Sequence, residues 1–382
     1  MSAHQVVVLG AGAAGAAAAR ELITARAVDV TLVGASGREP YNRTLVNKGV
    51  ALGLITPEQA ALTPPNEPFV ADTARRVDVA ARRVHLDSGA TLGFDSLIVA
   101  TGSTPRRVHA ELRGARDAVR AGRLTTLHSL RDALGVRDLL ARTPRPARVI
   151  ILGAGLVAAE TASVLHQAGH DIALLARTTT PGRTALGDLV ARRVADLHRT
   201  HICTYFARQP VAVTPGEAHV GLVLDDGTRV EADLVIEAIG TTPVAPQPWP
   251  NGVDVGARLH IAGAPRAYGA GGVAIHRGGL LGSWRIDHWG DAAAQGGHAA
   301  RTLLYDLGLG ADPGPYLPRA NFAARVYGRT LTGVGHNGSG ARERCVSTDP
   351  LLVVHEVEGR AVGAVGIDAV RLVQEWAPRL HA

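Results

Sequence analysis

The chain is poor in cysteine, in aromatic side chains and in long apolar runs, and each shortage removes a class of protein. Its two cysteines, Cys203 and Cys345, stand far apart in 382 residues, with no CxxC anywhere. That excludes a disulfide scaffold, argues against a redox-active dithiol pair, and fits a reducing, cytoplasmic compartment. Both thiols are expected to be ordinary buried side chains. Aromatic residues make up only 4%. No run of basic residues interleaves with them, so nucleic-acid binding is not indicated. The apolar stretch Val6–Ala19 is too short to span a bilayer and is broken by Gly10, Gly12 and Gly15. Neither a membrane helix nor a signal peptide is read. The scattered histidines His198, His201, His276 and His336 lack metal-ligand spacing, so no metal is expected.

What is present is glycine, 45 residues of it, and hydrophobic residues at 46% against 19% charged. That balance describes packed domains rather than disorder, and the length suits two or three of them. The formal net charge of +6 suits an acidic partner protein or a phosphate-bearing cofactor. An arginine-biased composition would produce the same number.

The order of segments is more specific. Gln5–Leu9 (QVVVL) reads as a buried strand. Gly10-Ala-Gly-Ala-Ala-Gly15 follows, then an alanine-rich helix to about Ala25 and a second strand at Val28–Val33. Arg82–Leu86 and Thr91–Leu92 flank the turn Asp87-Ser-Gly89 as a hairpin. Asp95–Ala100 is another buried strand, ending in Thr101-Gly102. A helix is expected over Ser129–Arg142. Arg148–Leu152 (RVIIL) then opens a second copy, with Gly153-Ala-Gly-Leu-Val-Ala158, a helix to about Gly169, a strand at Asp171–Leu175, a turn at Asp225-Asp-Gly227, and Asp233–Ile239 ending in Gly240. The copies begin at Gln5 and Arg148, 143 positions apart. Such duplication is more informative than either glycine motif alone.

The expected architecture is therefore α/β, with two Rossmann-like dinucleotide-binding units and a small α+β C-terminal domain. The expected domains are 1–113 with 241–315, an inserted 114–240, and a tail at 316–382. The tail's strand-like runs are Ala324–Tyr327, Leu351–Val357 and Ala361–Ile367, before a helix at Asp368–Ala377.

Each glycine has a task. Gly10 permits the tight turn, Gly12 lets backbone approach a pyrophosphate, and Gly15 lets helix and strand pack closely. The N–H groups around Ala13 and Ala14 then face the phosphates at the helix N-terminus. Gly153, Gly155 and Ala158, with Leu156 and Val157 between, repeat the device. Two such units imply two dinucleotides, one held and one exchanged. An acid usually follows the second strand and accepts from ribose hydroxyls. Here Gly34-Ala35-Ser36 and Leu175-Ala176-Arg177 stand there instead. Ser36 replaces one hydrogen bond at most. Arg177 and Arg183 offer guanidinium forks suited to a 2′-phosphate, which favours NADPH over NADH. They would also pass for ordinary surface arginines.

At this point the pattern resembles the pyridine nucleotide-disulfide oxidoreductase superfamily, in its ferredoxin/rubredoxin/putidaredoxin reductase branch. Pro40-Tyr41-Asn42-Arg43, with Lys48, resembles the segment that lines the flavin. Ala100-Thr101-Gly102 resembles the segment closing the FAD domain, and Ala238-Ile239-Gly240 its degenerate second copy. Glu160 resembles the glutamate near the nicotinamide, and His288-Trp289 through Gly296 the segment at the flavin pyrimidine edge. The resemblance implies FAD and NADPH (or NADH) as cofactors, hydride transfer to the flavin, and Lys48 near the reacting nitrogen, paired with an acid such as Glu160. It also allows a homodimer through the tail. Two departures stand out. The family's Ala-Gly-Asp is Ala270-Gly271-Gly272 here, and with Ala35 that makes two FAD-gripping carboxylates missing. The window Tyr41–Val50 holds no cysteine, so electrons do not pass through a thiol there. The implied function is an FAD-dependent NAD(P)H oxidoreductase that delivers electrons to an acceptor such as an acidic iron–sulfur carrier. The alternatives are a specialised flavoenzyme acting on a small molecule or oxygen in a biosynthetic pathway, and a flavin-free nucleotide-binding protein.

Overall fold

The computed structural model describes residues 4–34, 40–62, 68–108, 112–336 and 340–382. They divide into two compact units. One holds Met1–Asn42, Ala61–Thr104 and Thr242–Asn321. The other holds Arg43–Ala60, Pro105–Thr241 and Phe322–Ala382.

The first unit is built on a five-stranded parallel sheet. In spatial order its strands are Ala267–Gly269, Ser96–Val99, Gln5–Leu9, Asp29–Val33 and Phe69–Val70. Runs such as QVVVL and SLIV suit it because a parallel sheet is covered on both faces and needs β-branched residues throughout. Val8, Leu9, Leu22, Leu32, Leu97 and Ile98 are fully buried, each contributing about 1.5–3 kcal/mol of burial. The helix Ala13–Ala25 forms because alanine is the best helix former, and it ends at Arg26 in a left-handed cap (φ 52°). Its small side chains let a second helix, Trp289–Asp306, approach backbone to backbone. A Cβ at Gly296 would overlap the Ala14 carbonyl oxygen. A three-stranded antiparallel sheet, Ala74–Asp78, Arg83–Leu86 and Thr91–Gly93, completes the repeat's first copy.

The second unit repeats the plan. Its parallel sheet runs Cys203–Phe206, Asp171–Ala176, Arg148–Leu152, Leu234–Glu237 and Leu124–Thr126. Its antiparallel sheet is Pro210–Pro215, Val220–Leu224 and Arg229–Ala232. The helix Leu130–Arg142 is fixed by a capping box. Ser129 Oγ accepts from Asp132 N at 3.2 Å, and Asp132 Oδ2 accepts from Ser129 N at 3.1 Å. The chain is thus α/β with two Rossmann-like parallel sheets.

The tail is a five-stranded antiparallel sheet, ordered Asn321–Val326, Arg329–Gly335, Arg360–Ile367, Leu351–Val357 and Arg342–Thr348, with the helix Val370–Trp376. Val326, Leu331, Val353 and Val365 pack against Leu186, Val190 and Val194. Those three lie on a helix, Arg183–His201, that the sequence pattern did not single out. Gly187 (φ 75°) interrupts it near its start. One expectation is corrected here. Cys203 and Cys345 are exposed, not buried. Each lies on the edge strand of its sheet, where one side of the strand meets solvent. No helix among the described residues is long and apolar enough to cross a membrane.

An aspartate pins the same joint in each copy. Asp95 Oδ2 accepts from Gln5 N at 2.9 Å. Asp233 Oδ2 accepts from Arg148 N at 2.8 Å, and both its oxygens accept from Arg145 at 2.9 Å. Burial alone would raise the Asp233 carboxyl. The Arg145 and Arg148 hydrogen bonds and charges outweigh it and hold the group below its usual 3.8. A lowered carboxyl contributes stability that is present above pH 3.8 and is lost as pH falls through the folded value. Asp233→Asn is therefore expected to cost about 1–3 kcal/mol at neutral pH. In urea denaturation that gap should narrow below pH 3.8, and an undiminished gap at pH 3 would contradict the assignment.

Candidate functional site

In the first unit the chain leaves the strand Gln5–Leu9 through Gly10, whose φ of 102° belongs to glycine. A Cβ there would overlap the carbonyl oxygen of Ala100, and one at Gly15 would overlap the carbonyl oxygen of Gly10. Ala100 N donates to Leu9 O at 2.7 Å, so Ala100-Thr101-Gly102 lies directly against the glycine turn. Thr101 Oγ1 donates to Val244 O at 2.5 Å. Gly12 differs from its neighbours. It caps the helix without any side-chain hydrogen bond, and a Cβ there would meet nothing within 4 Å. The helix's first N–H groups, around Ala13 and Ala14, lack intrahelical partners by construction. This is an open cradle suited to a pyrophosphate. Ala35 and Ser36 lie outside the described residues.

The cradle has a second wall. Gly271 (φ 79°) comes so close to Ala14 that an added Cβ would stand 2.9 Å from the Ala14 Cβ. Gly271 N donates to Gln295 Oε1 at 2.8 Å, and Gln295 Nε2 donates to Asp291 Oδ2 at 2.6 Å. Tyr316 Oη donates to Asp291 Oδ1 at 2.7 Å. Burial pushes the Asp291 carboxyl up, and the Tyr316 and Gln295 hydrogen bonds oppose it. This chain fixes the Gly271–Gly272 loop to the first turn of the helix that starts at Trp289. The His288 side chain does not cap that helix, and the helix's N-terminal dipole favours negative charge there. The His288–Gly296 segment carries a sequence signal, whereas Asp291, Gln295 and Tyr316 take their roles from these contacts.

The second unit carries the matching cradle. Gly153 has φ 143°, and its Cβ would overlap the Ala238 carbonyl oxygen. Gly155 caps the helix Leu156–Gln167 with no side-chain bond and opens onto space. Ala158 is fully buried, its methyl accommodated at the position where Gly15 of the first copy has no room for one, while Val157 is about half exposed. Ile239 packs into the core beside the Leu234–Glu237 strand, and Gly240 (φ 90°) accepts a hydrogen bond from Arg106 N at 2.9 Å. Ala154, Gly155, Leu156, Pro181, Gly182 and His198 line a small pocket beside this turn. Arg177 and Arg183 are exposed. Arg183 Nε lies 3.7 Å from Asp188 Oδ1. Asp188 also pairs with Arg192, and its backbone N–H is capped by Glu343 of the tail.

The same unit assembles a charged cluster on that helix. Lys48 Nζ lies 3.4 Å from Glu160 Oε1, and Asn47 Nδ2 donates to Glu160 Oε2 at 3.1 Å. Both oxygens of Glu160 are thus engaged, and the carboxylate is largely buried at 13% exposure. Arg43 donates to His128 Nε2 at 3.2 Å. Asn47 had no local signal in the sequence. Lys48 is the only lysine in the chain; every other basic side chain of that charge is arginine.

Comparison with known proteins agrees with this geometry. The family model described as "Pyridine nucleotide-disulphide oxidoreductase" matches residues 4–296. The anthranilate 1,2-dioxygenase system ferredoxin–NAD(+) reductase component of Burkholderia cepacia is 31% identical over 331 residues, covering 80% of this chain and 76% of its own. The biphenyl dioxygenase system ferredoxin–NAD(+) reductase component of Paraburkholderia xenovorans is 27% identical, covering 96% and 90%. Among solved structures, the putidaredoxin reductase of a covalent complex with putidaredoxin superposes with a TM-score of 0.85 at 22% identity, over 98% of this chain and 93% of its own. One described as an engineered water-forming NADPH oxidase bound to NADPH superposes with a TM-score of 0.80 at 17% identity, over 98% and 91%.

The two glycine types of the first cradle predict opposite behaviour. Gly15→Ala forces a methyl into the Gly10 carbonyl and is expected to cost about 1–3 kcal/mol in the ligand-free protein. Gly12→Ala meets no protein atom and should leave the ligand-free melting temperature unchanged while weakening dinucleotide retention. Differential scanning calorimetry with a dinucleotide titration separates the two. Equal destabilisation by both variants would contradict the open cradle.

Proposed function

The chain belongs to the pyridine nucleotide-disulphide oxidoreductase family, and on that premise we propose that it is an FAD-dependent NAD(P)H oxidoreductase that supplies electrons to a ferredoxin-type acceptor. One observation carries the reading. Each unit holds its own glycine cradle, built the same way, with an uncapped helix N-terminus and open space at the middle glycine. One cradle suits a resident dinucleotide and the other an exchanging one. The two relatives, each a ferredoxin–NAD(+) reductase component by description, support the same direction of electron flow. The net charge of +6 favours approach of an acidic iron–sulfur protein.

Bound FAD would supply the chemistry, taking a hydride and releasing electrons one at a time. The chain's own residues bind, orient and set charge. Gly10, Gly12 and Gly15 hold the FAD pyrophosphate against the N–H groups of Ala13 and Ala14, with Ala100, Thr101 and Gly102 closing the turn. The His288–Trp289 helix start, to which Gln295 and Asp291 tie the Gly271 loop, favours the anionic reduced ring through its N–H groups. Gly153, Gly155, Leu156, Val157 and Ala158 hold the nicotinamide dinucleotide, beside Ile239 and Gly240. Glu160 and Asn47 fix Lys48, whose ammonium stabilises negative charge as it develops. Arg43 adds a second positive group. No thiol lies within Tyr41–Val50, so no disulfide relay is part of the scheme.

The nucleotide is NADPH in preference to NADH. Ala176 leaves no carboxylate to repel a 2′-phosphate, and Arg177 and Arg183 stand exposed just beyond it. The five substitutions named for the engineered NADPH oxidase end in Ala, Ala, Arg, Ser and Arg, at spacings of 18, 1, 1 and 5. Ala158, Ala176, Arg177, Thr178 and Arg183 repeat that spacing, with threonine for serine.

The purified protein should be yellow, and NADPH should bleach it without oxygen. A colourless protein that cannot be reconstituted with FAD would refute the proposal. Replacing both Arg177 and Arg183 by alanine should raise KM for NADPH about 10–100-fold with little change in kcat, leaving NADH unaffected, because binding shared by ground and transition states is lost. Lys48→Met should slow flavin reduction about 10–100-fold with FAD still bound. As the chain has one lysine, reductive methylation followed by peptide mapping can check the same side chain in the native sequence. Stopped-flow absorbance reads both effects, and an unchanged reduction rate in Lys48→Met would remove Lys48 from the mechanism.

A further inference from the structure

The missing carboxylate at position 272 has a substitute in space. Gly272 is buried, and its backbone lies outside the left-handed region that only glycine favours. A side chain there would suffer no conformational strain. What blocks it is one group. A Cβ at Gly272 would overlap Asp287 Oδ1 and stand 3.1 Å from its Cγ, while the next atom, Ser103 Cβ, is 3.6 Å away. The place a residue-272 side chain would enter is therefore filled by the Asp287 carboxylate. That carboxylate is held there deliberately. Ser103 Oγ donates to Asp287 Oδ2 at 2.7 Å, and Arg285 donates to the same oxygen at 3.1 Å. Arg285 Nε also donates to Gly272 O at 2.6 Å, tying the two positions together. All four residues belong to the first unit. The neighbouring Gly271 is the residue that packs on Ala14 at the first cradle.

Resting on the FAD assignment above, we infer that Asp287 is a flavin-binding residue, delivering from a different sequence position the acceptor that Gly272 lacks. An ionised carboxylate only accepts hydrogen bonds. Its partners on FAD are therefore hydrogen-bond donors and not phosphate oxygens, and beside the pyrophosphate cradle at Gly271 and Ala14 those donors are the ribityl hydroxyls. Anchoring Oδ2 on Ser103 and Arg285 orients the carboxylate, with Oδ1 on the side of the Gly271–Gly272 loop. Arg285 also offsets part of the charge that would repel the adjacent pyrophosphate.

The test is a titration of FAD into the ligand-free protein, followed by flavin fluorescence, with its thermal melt as the folding control. Asp287→Asn should weaken FAD about tenfold or more, the scale of one charge-assisted hydrogen bond. ADP, which lacks the ribityl chain, should compete for the cradle as well as before. Gly272→Asp alone should weaken FAD further, since two carboxylates then collide. Combining Gly272→Asp with Asp287→Gly should restore most of the affinity lost in Asp287→Gly alone. Should Asp287→Asn fold poorly, Ser103→Ala provides a milder test, with a loss of about threefold because Arg285 still holds the carboxylate. Equal losses of FAD and ADP affinity would make Asp287 a structural residue and overturn the inference. So would wild-type affinity in Asp287→Asn, or a double variant no better than Asp287→Gly. A wild-type protein that takes up no flavin overturns the functional reading itself, and that result is distinct from all of these.

Discussion

A carbonyl oxygen set where a side chain would otherwise stand is the constraint on which both halves of the molecule depend. In each copy the oxygen at the end of a buried strand, Ala100 or Ala238, fills the space of a Cβ at the first glycine. That contact forces the chain to turn sharply and start a helix with bare N–H groups. It also fixes where the strand's last residues lie, so that Thr101-Gly102 and Ile239-Gly240 sit beside the turns. The cradle, the sheet order and the helix start are consequences of one backbone approach. The aspartates Asp95 and Asp233 secure the opposite ends of those same strands to Gln5 and Arg148, so each strand is fixed at both ends.

Charge is distributed on this frame by an economy of acids. Both positions after the second strands lack a carboxylate. In the second unit arginines stand there instead, and under the proposed NADPH assignment they would shift the preference from a ribose hydroxyl to a phosphate. Arg183 already has Asp188 at 3.7 Å, and Arg192 shares that aspartate. A phosphate arriving at Arg183 therefore competes with an exposed pair, which costs little to open. In the first unit it is the other missing acid, at Gly272, whose place the Asp287 carboxylate occupies, on the approach to the His288 helix start.

Much of this was legible in the sequence because glycines and β-branched runs are local signals. The two parallel sheets, the capping box at Ser129 and the cradles all follow from residues close together in the chain. The features that were not legible depend on distant partners. The helix Arg183–His201 is amphipathic only with respect to the tail sheet, whose residues Val326, Leu331, Val353 and Val365 cover it. Residue type alone suggests buried cysteines, whereas their exposure is set by edge positions that only the strand order reveals. Asn47, Asp291 and Tyr316 carry ordinary side chains with no local signal of their own, and acquire roles by touching Glu160, Gln295 and each other. Gly272 was legible as a departure, but its compensation at Asp287 was not, since 15 residues separate the two.

The single lysine bears on how the charged cluster works. Arginine serves at every other position of its kind, so an arginine at position 48 would be the default for this composition. Its planar fork would engage both oxygens of Glu160 bidentately, displacing Asn47 from Oε2 and locking the positive charge into the plane of the carboxylate. Lysine touches only Oε1, at 3.4 Å, and its compact ammonium keeps further donors available in other directions. Asn47 then satisfies the second oxygen without adding charge. The result is a positive group held in place but not used up by its partner, at 36% exposure. A residue meant only to neutralise Glu160 would be better built as arginine, so the choice of lysine points to an acceptor other than Glu160.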